Sequence, residues 1–277
     1  MGDSMMRGET ETVVWRLIQL ETHDAFVNMA IDEAIFKARI QNLVPNTLRL
    51  YRWKPSAVSI GRFQKVENEV QLDNCKRLGV DVVRRITGGG TVYHDAEDEV
   101  TYSVVVSKKD LGTEDITAVY ARIYAGLAEA LKTLGMKTDF CEGDTKTCPN
   151  LTVNGKKISG SAQSHRMGVV LQHGTLLANV DLQRMFTLLR VPWANTCMEV
   201  VDVAKRKITS IKEELGMEIP LEEVKQALIR GFKSALNMES EHCGELATYE
   251  RALAEKLNKE KYATDNWNSH GKSILEE

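Results

Sequence analysis

The sequence predicts an α+β fold, with helices packed against a mixed or antiparallel sheet. Segments rich in β-branched and aromatic residues, such as 48–53 and 100–106, are interspersed with longer segments whose apolar residues recur at helical spacing, such as 25–39 and 117–134. These strands and helices do not alternate regularly, as they do in a doubly wound fold built from βαβ units. We therefore expect a sheet that carries its helices on one face.

In the first half of the chain, predicted strands and amphipathic helices are short blocks separated by turn residues. The predicted strands are 13–18, 48–53, 57–61 and 78–83, and the predicted helices are 25–39 and 67–78. Lys54-Pro55-Ser56 separates the second strand from the third because proline and serine favour turns, and Gly79 ends the second helix.

The second half of the chain contains the clearest helix and a hairpin. The predicted strands are 100–106, 151–153, 158–162 and 168–177, and the predicted helices are 117–134, 221–236 and 249–257. Gly135 stops the first of these helices. Asn154-Gly155 predicts a two-residue hairpin turn because both positions tolerate a positive φ.

Length and charge limit the classes of function. The chain has 277 residues, enough for a large domain with a real core, and 36 Lys and Arg against 39 Asp and Glu give a formal charge of −3. That balance argues against broad, charge-driven binding of nucleic acid. No apolar run approaches the roughly 20 residues of a membrane span, and the polar start lacks the layout of a signal peptide. We expect a cytoplasmic protein with neither nucleic acid nor membrane as a partner.

The segment 84–95, Arg-Arg-Ile-Thr-Gly-Gly-Gly-Thr-Val-Tyr-His-Asp, is the most informative part of the sequence. Three consecutive glycines lose much backbone entropy on folding, so a fold that keeps them needs a positive φ or a close backbone approach. A carboxylate or phosphate between Arg84 and Arg85 would accept charge-assisted hydrogen bonds. The segment lies between the predicted strands 78–83 and 100–106, whereas phosphate loops open a helix. A plain hairpin turn is the alternative to a site for an anionic, acyl-bearing ligand.

Five cysteines without CxxC spacing predict neither a disulfide framework nor a zinc site. Cys148 lies in the polar, turn-forming stretch 143–150, beside threonine and lysine residues, which makes it the candidate for a reactive thiol. The alternative is an unreactive loop cysteine. The other four are expected to be small packing residues.

Five blocks of sequence form a recognisable set. They are Asn-Met-Ala-Ile-Asp-Glu-Ala at 28–34, the segment 84–95, Asn-Gly-Lys-Lys-Ile-Ser-Gly-Ser-Ala-Gln at 154–163, Gln-His-Gly-Thr-Leu-Leu at 172–177, and Lys-Tyr-Ala-Thr-Asp-Asn-Trp-Asn at 261–268. In this order, and over nearly the whole chain, they resemble the catalytic domain of the lipoate-protein ligase and octanoyltransferase family, whose fold is shared with biotin-protein ligases. The resemblance implies a flexible tail at 1–12, a catalytic domain at 13–238 and a short helical C-terminal extension, without an accessory domain, at 239–277.

This resemblance implies attachment of a lipoyl or octanoyl group to a lysine of a lipoyl carrier domain, by one of two routes. A ligase activates lipoate or octanoate with ATP and Mg²⁺ to an acyl-adenylate, and this is the primary expectation. An octanoyltransferase instead takes the octanoyl group from octanoyl-acyl carrier protein through a cysteine thioester, without ATP. Gly90 favours the ligase, because the transferase branch usually carries arginine there. Cys148 favours the transferase, because ligases often carry an aspartate in that loop.

Site residues follow from the matching blocks. The resemblance makes Lys157 the catalytic lysine, and Cys148 the nucleophile if the protein is a transferase; a lysine pair after a turn would otherwise be solvated surface. The implied substrate- or cofactor-binding residues are Arg84, Arg85, Thr87, Gly88, Gly89, Gly90, His94, Gly160, Ser161, Ala162, His173 and Gly174. The two histidines are expected to be wall or positioning residues, and Asp32 and Glu33 to cap or brace the first helix. No carboxylate cluster identifies ligands for Mg²⁺.

The implied partners are lipoyl carrier domains, on the E2 subunits of 2-oxoacid dehydrogenases or on the H protein of glycine cleavage. Two-domain ligases continue past the block 261–268 into an accessory domain, whereas this chain stops at Glu277. A ligase of this length is expected to need a separate polypeptide that supplies that domain. Two further functions are disfavoured: a biotin ligase would carry a Gly-Arg-Gly-Arg loop, and a non-enzymatic module would have lost Lys157 or the glycines.

Overall fold

The computed structural model describes residues 13–143, 149–194, 196–238 and 240–275. Its strands are β1 (Val14–His23), β2 (Asn46–Trp53), β3 (Ala57–Ile60), β4 (Asp81–Arg84), β5 (Val92–His94), β6 (Glu99–Ser107), β7 (Asp139–Cys141), β8 (Asn150–Val153), β9 (Lys156–Arg166), β10 (Val169–Leu177) and β11 (Ser240–Cys243). Its α-helices are α1 (Ala25–Ile40), α2 (Val66–Glu69), α3 (Leu72–Leu78), α4 (Lys108–Leu111), α5 (Ile116–Thr133), α6 (Leu182–Leu188), α7 (Cys197–Ala204), α8 (Ile211–Leu215), α9 (Leu221–Ala235), α10 (Thr248–Leu257) and α11 (Asp265–His270). A π-helical turn (Asn258–Tyr262) joins α10 to the residues before α11.

The main sheet is mixed, with the strand order β11-β1-β2-β6-β10-β9-β8-β7. Both neighbours of β1 run parallel to it, and every pair from β2 to β7 is antiparallel. The predicted turn at Asn154-Gly155 joins β8 to β9, with φ of 50° and 76° at its two residues. The α+β class predicted from the sequence is confirmed.

Helices cover both faces of this sheet, so the prediction that they lie on one face only is wrong. On one face Tyr102 of β6 packs in a core with α5 and α9, including Phe232. On the other face Val105 of the same strand packs in a core with α1, including Ile31 and Ile35. The reason is that β6 is buried along almost its whole length, so side chains on both of its faces need apolar partners.

A second, three-stranded sheet has the order β4-β3-β5, with β4 parallel and β5 antiparallel to β3. Because β4 and β5 lie on opposite sides of β3, residues 85–91 must cross the end of β3. We call residues 85–91 the glycine loop. The sequence predicts that this loop passes directly into the strand 100–106, but the short strand β5 intervenes, and the loop joins two strands of the small sheet.

Two local predictions in the helices change. The predicted helix 67–78 is divided into α2 and α3, because buried Val70 forms an antiparallel bridge with Leu189. Helix α1 is confirmed, but its N-cap is Asp24, whose side chain accepts a hydrogen bond from the backbone of Val27. Asp32 and Glu33 lie inside the helix, where both are buried.

The C-terminal segment, residues 240–275, supplies strand β11 to the main sheet as well as the expected helices. Helix α10 packs on α1, and the buried ammonium group of Lys261 donates to Glu33 of α1 at 3.0 Å. The same ammonium lies 3.9 Å from the ring centre of Trp267. Within the described parts of the chain, no helix combines the length and apolar character needed to cross a bilayer.

Candidate active site

A cavity lies between the glycine loop and strands β9 and β10, with about 630 Å³ of empty space that includes its mouth open to solvent. Buried side chains of Met29, Tyr51 and Trp53 form part of its wall. We call this cavity the first chamber. It brings together most of the residues predicted from the sequence, namely Arg85, Gly89, Gly90, His94, Lys157, Gly160, Ser161, Ala162, His173 and Gly174.

The guanidinium group of Arg85 is bound within the protein, where it stabilises the conformation of the glycine loop. Its Nε donates to the hydroxyl of Thr87 at 3.1 Å, and its Nη2 donates to the carbonyls of Gly88 and Gly90 at 2.8 and 2.6 Å. Its Nη1 donates to the carbonyl and hydroxyl oxygens of Ser59, each at 3.1 Å. The buried cation therefore fixes the path of the loop along the first chamber.

Arg84, predicted as a binding residue, does not line the first chamber. Its guanidinium group donates to backbone carbonyls on two segments, those of Gly61, Arg62, Gln64, Trp267, Asn268 and Ser269. The two guanidinium groups therefore do not form a shared binding site for an anion. Adjacent residues at the end of a strand project to opposite sides, which separates the two guanidinium groups.

The glycine loop needs its small residues where it crosses β3. A Cβ atom on Gly61, the residue after β3, would lie 2.1 Å from the carbonyl oxygen of Gly89. Gly89 itself has a φ of 83°, which disfavours other residues. A Cβ atom on Gly88 or Gly90 would have no neighbour within 4 Å. The close backbone approach expected from the sequence therefore occurs at the middle glycine.

One chain of hydrogen bonds beneath the loop begins at Asp32. Its Oδ2 lies 3.0 Å from His173 Nδ1, and His173 Nε2 lies 2.8 Å from the Thr87 hydroxyl. Burial raises the pKa of Asp32, but the hydrogen bond with His173 and the nearby Arg49 outweigh it, so the pKa falls below its usual value. Because a carboxylate only accepts, His173 Nδ1 carries the proton and Nε2 accepts from Thr87. Burial, only partly opposed by Asp32, lowers the pKa of His173 and keeps it neutral.

A second chain of hydrogen bonds begins at Glu99 and ends at Arg85, the arginine that also donates to Thr87. His94 Nδ1 lies 2.7 Å from Glu99 Oε1, and His94 Nε2 lies 2.8 Å from the hydroxyl of Ser59, which binds Arg85. The ring of Trp53 stacks on His94 with 4.0 Å between ring centres. Both histidines are therefore positioned by carboxylates and support the loop through hydroxyl groups. The sequence indicates the histidines and Asp32, but the contributions of Glu99, Ser59 and Trp53 become visible only in the fold.

Lys157 lies against the backbone of Gly160, three residues further along β9. A Cβ atom on Gly160 would lie 2.7 Å from both Cε and Nζ of Lys157. The glycine therefore leaves the space that the lysine side chain occupies. Lys156 is placed differently, because its ammonium group pairs with Glu213 at 2.8 Å. The alternation of β9 thus gives the two adjacent lysines different surroundings, and Lys157 is the one that lines the chamber.

A second chamber, also open to solvent and with about 550 Å³ of empty space, adjoins the first, and Lys157 and Gly160 line both. Apolar side chains of Leu177, Met185 and Ile208 form much of its wall. This chamber is not predicted from the sequence, because no helix or strand is predicted between residues 178 and 220. The helical spacing of Leu182, Met185, Phe186 and Leu189 was the available signal for α6.

Cys148, the predicted nucleophile of a transferase, lies outside the described residues. The next residue in the sequence, Pro149, lines the first chamber together with Lys157. Among the residues that the structure describes, no group of three or more histidine, cysteine, aspartate or glutamate side chains is placed to hold a metal ion. We therefore assign no ligands for Mg²⁺.

The site combines an apolar cavity, a lysine ammonium group and a rigidly held glycine loop. A compact cation beside a partly enclosed cavity suits reactions in which negative charge develops on an acyl or phosphoryl oxygen. The sequence profile of the lipoyl protein ligase A/B catalytic domain matches residues 24–233. The protein belongs to this enzyme family, as the sequence blocks predict.

Particular relatives differ in the chemistry that their names state. The chain is 35% identical to octanoyltransferase LipM of Clostridioides difficile strain 630 over 269 residues, which cover 92% of this chain and 98% of that protein. It superposes on the crystal structure of lipoate-protein ligase A bound with ATP with a TM-score of 0.77 and 30% identity, covering 92% of this chain and 98% of the ligase chain. A bipartite lipoate-protein ligase from Thermoplasma acidophilum, studied with its E2 lipoyl domain, gives a TM-score of 0.76 at 30% identity, covering 92% and 95% of the two chains.

Proposed function

We propose that the protein is an octanoyltransferase that moves an octanoyl group from a carrier thioester to a lysine of a lipoyl domain. The observation that carries this proposal is the position of Pro149, which follows Cys148 and lines the first chamber with Lys157. The similarity to octanoyltransferases over nearly their whole length supports it. The proposal reverses the order of preference that the sequence alone suggests, in which the ATP-dependent ligase comes first.

In this mechanism, the thiolate of Cys148 attacks the thioester carbonyl of the donor. The donor's carbon–sulfur bond breaks, and its thiol leaves with a proton, so that the octanoyl group is held as a thioester on Cys148. The uncharged ε-amine of the acceptor lysine then attacks this carbonyl. An amide forms, the amine loses a proton, and the thiol of Cys148 is regenerated. Each step exchanges one acyl bond for another, so neither ATP nor a metal is consumed.

Lys157 stabilises the negative oxygen of both tetrahedral intermediates. Its ammonium group is a compact charge, and it borders both chambers at Gly160. Arg85 acts indirectly, because its donors are bound to the loop and to Ser59. The apolar part of the first chamber, around Met29 and Trp53, accommodates the acyl chain.

A lipoate-protein ligase is the second candidate, and a specific residue favours it. Gly90 completes the run of three glycines that resembles the ligases, and two solved ligase structures superpose over nearly the whole chain. In that case Lys157 stabilises charge on the reacting oxygens of lipoate and ATP. A separate accessory subunit is expected only for this candidate.

The two candidates are separated by the choice of acyl donor. Purified protein and a lipoyl domain are incubated with octanoyl-acyl carrier protein, or with octanoate or lipoate and Mg-ATP, and acylated lipoyl domain is measured by mass. We expect product from the carrier thioester without ATP, and its loss in Cys148→Ala. Cys141→Ala is the matched control, because Cys141 on β7 is exposed; of the four cysteines expected to be packing residues, only Cys75 is buried. Product only from the ATP reaction, with Cys148→Ala fully active, would identify a ligase instead.

A further inference from the structure

A run of three basic residues, Lys205 to Lys207, directly precedes Ile208 in the sequence, and Ile208 lines the second chamber. The backbone of Lys157 donates to the carbonyl of Lys207 at 2.8 Å, and the next residue, Ile208, lines the chamber. All three basic residues are exposed. Lys205 lies 3.8 Å from Asp202, whereas Arg206 and Lys207 have no ion-pair partner within the described parts of the chain. Two exposed cations without an ion-pair partner among the described residues therefore lie on the segment that joins the backbone of Lys157 to the chamber wall at Ile208.

The second chamber also contains an unused hydrogen-bonding group. Ser159 lines it and is 1% exposed, and its hydroxyl oxygen has no hydrogen-bond partner among the described residues. Leaving a buried hydroxyl without a partner costs free energy, so such a group in a cavity indicates a polar ligand atom. The surrounding wall of Leu177, Met185 and Ile208 is apolar. The chamber thus suits a ligand that is mostly uncharged and contains an occasional amide or hydroxyl.

The position of this chamber defines which part of the donor enters it. Lys157 and Gly160 border both chambers, so a carbonyl placed at Lys157 has one substituent in each. With the acyl chain in the first chamber, the sulfur of the thioester and the group attached to it are directed into the second. This step rests on the proposed function, in which the donor is a thioester.

We propose that the second chamber binds the phosphopantetheine arm of the acyl donor. The hydroxyl of Ser159 bonds to an amide of the arm, whose methylene and dimethyl groups contact the apolar wall. Arg206 and Lys207 bind the phosphate at the outer end of the arm, where a guanidinium group makes bidentate, charge-assisted hydrogen bonds. The donor is thus recognised through the arm, independently of the protein that carries it.

Three octanoyl thioesters test this assignment, those of phosphopantetheine, pantetheine and ethanethiol. In the double variant Arg206→Ser and Lys207→Ser, we expect KM for the phosphopantetheine donor to rise on the order of tenfold, while KM for the pantetheine donor is unchanged. In Ser159→Ala, KM rises for both pantetheine donors and not for the ethanethiol thioester. Lys132→Ser is the matched control, because Lys132 is an exposed cation on α5, paired with Glu129.

The results separate a failure of this inference from a failure of the proposed function. If the wild-type protein uses all three thioesters but the double variant affects the two pantetheine donors equally, or neither, the phosphate site is overturned. If Ser159→Ala alters the ethanethiol reaction as much as the others, the hydroxyl does not bind the arm. If the wild-type protein uses no thioester and requires ATP, the proposed function fails, and this inference fails with it.

Discussion

Single residues decide the chemistry of this site, and the pair Lys156 and Lys157 shows how strongly one step along a strand matters. We expect Lys157→Ala to lower kcat/KM by about 10²- to 10³-fold, the usual cost of losing one electrostatic donor to a developing charge. Lys156→Ala should stay near the wild-type rate, because Lys156 forms a surface pair with Glu213. The measurement is the rate of acceptor octanoylation, with thermal unfolding to confirm that both variants fold. A greater loss in Lys156→Ala would show that the two lysines have been assigned the wrong roles.

The buried pair of Asp32 and His173 predicts how stability depends on pH. Burial lowers the pKa of His173, so below about pH 6.5, where an unfolded histidine gains its proton, the unfolded chain binds more protons. Stability therefore falls as the pH is lowered from that value towards the pKa of folded His173. Asp32, whose pKa is also lowered, adds a further loss only below about pH 4. Burial also lowers the pKa of His165, but a substitution of His173 leaves His165 in place, so its contribution is the same in the variant and the wild type.

His173→Gln removes the histidine contribution while keeping a side chain that can hydrogen-bond. We expect the slope of unfolding free energy against pH, between about pH 4.5 and 6.5, to decrease by up to about 1.4 kcal/mol per pH unit. Urea unfolding at a series of pH values measures this slope. An identical slope in variant and wild type would show that His173 is not the residue that titrates.

What sequence predicts about single residues depends on whether their role follows from residue type or from register. Lys157 is singled out by the resemblance of its block to a known family and lines the first chamber, and its catalytic role stays a prediction. Arg84 and Arg85 have the same chemistry and adjacent positions, yet only Arg85 lines the first chamber. Their difference depends on the opposite directions in which the two side chains project at the end of β4, and on carbonyls of residues 267–269, far away in the sequence. No local pattern contains that information.

At the scale of elements, the glycine loop depends on the strand that it crosses. Gly61→Ala places a methyl group 2.1 Å from a backbone oxygen of Gly89, so the loop must move. We expect this variant to lose most of its transferase activity and to unfold at a lower temperature. Gly88→Ala is the matched control, because a Cβ atom there meets nothing within 4 Å. Activity and the midpoint of thermal unfolding are measured for both, and equal effects of the two substitutions would contradict the crossing geometry.

Elements with strong periodicity are predicted well, and short elements are not. Helices α1, α5, α9 and α10 follow from apolar residues at helical spacing; α5, α9 and α10 each bury one face, and α1 is buried over most of its surface. Strand β5 has three residues, and it exists because β3 offers a free edge. The division of α2 from α3 likewise results from the bridge between Val70 and Leu189. Both depend on partners distant in sequence, which explains why a local pattern does not predict them.

At the scale of the whole molecule, a buried ion pair joins strand β1, near the beginning of the chain, to helix α10, near its end. Arg16 of β1 donates to both carboxylate oxygens of Glu250 on α10, each at 2.6 Å. We expect Glu250→Gln to destabilise the protein by about 3–5 kcal/mol, because a buried arginine loses its charged partner. The double variant Arg16→Leu and Glu250→Leu should recover part of this loss, as both charges are removed. Urea unfolding of the two variants measures the free energy of unfolding. A decrease of less than about 1 kcal/mol in Glu250→Gln would show that the pair does not stabilise the packing of the C-terminal segment.

The proposed function requires the protein to carry the octanoyl group covalently on Cys148 during transfer. The most direct measurement is the intact mass of the protein after mixing with octanoyl-acyl carrier protein, in the absence of both ATP and acceptor. We predict a mass gain of one octanoyl group that is removed by hydroxylamine, is absent in Cys148→Ala and persists in Cys141→Ala. A protein that gains no mass under these conditions, yet acylates a lipoyl domain from octanoate and ATP, would contradict the claim.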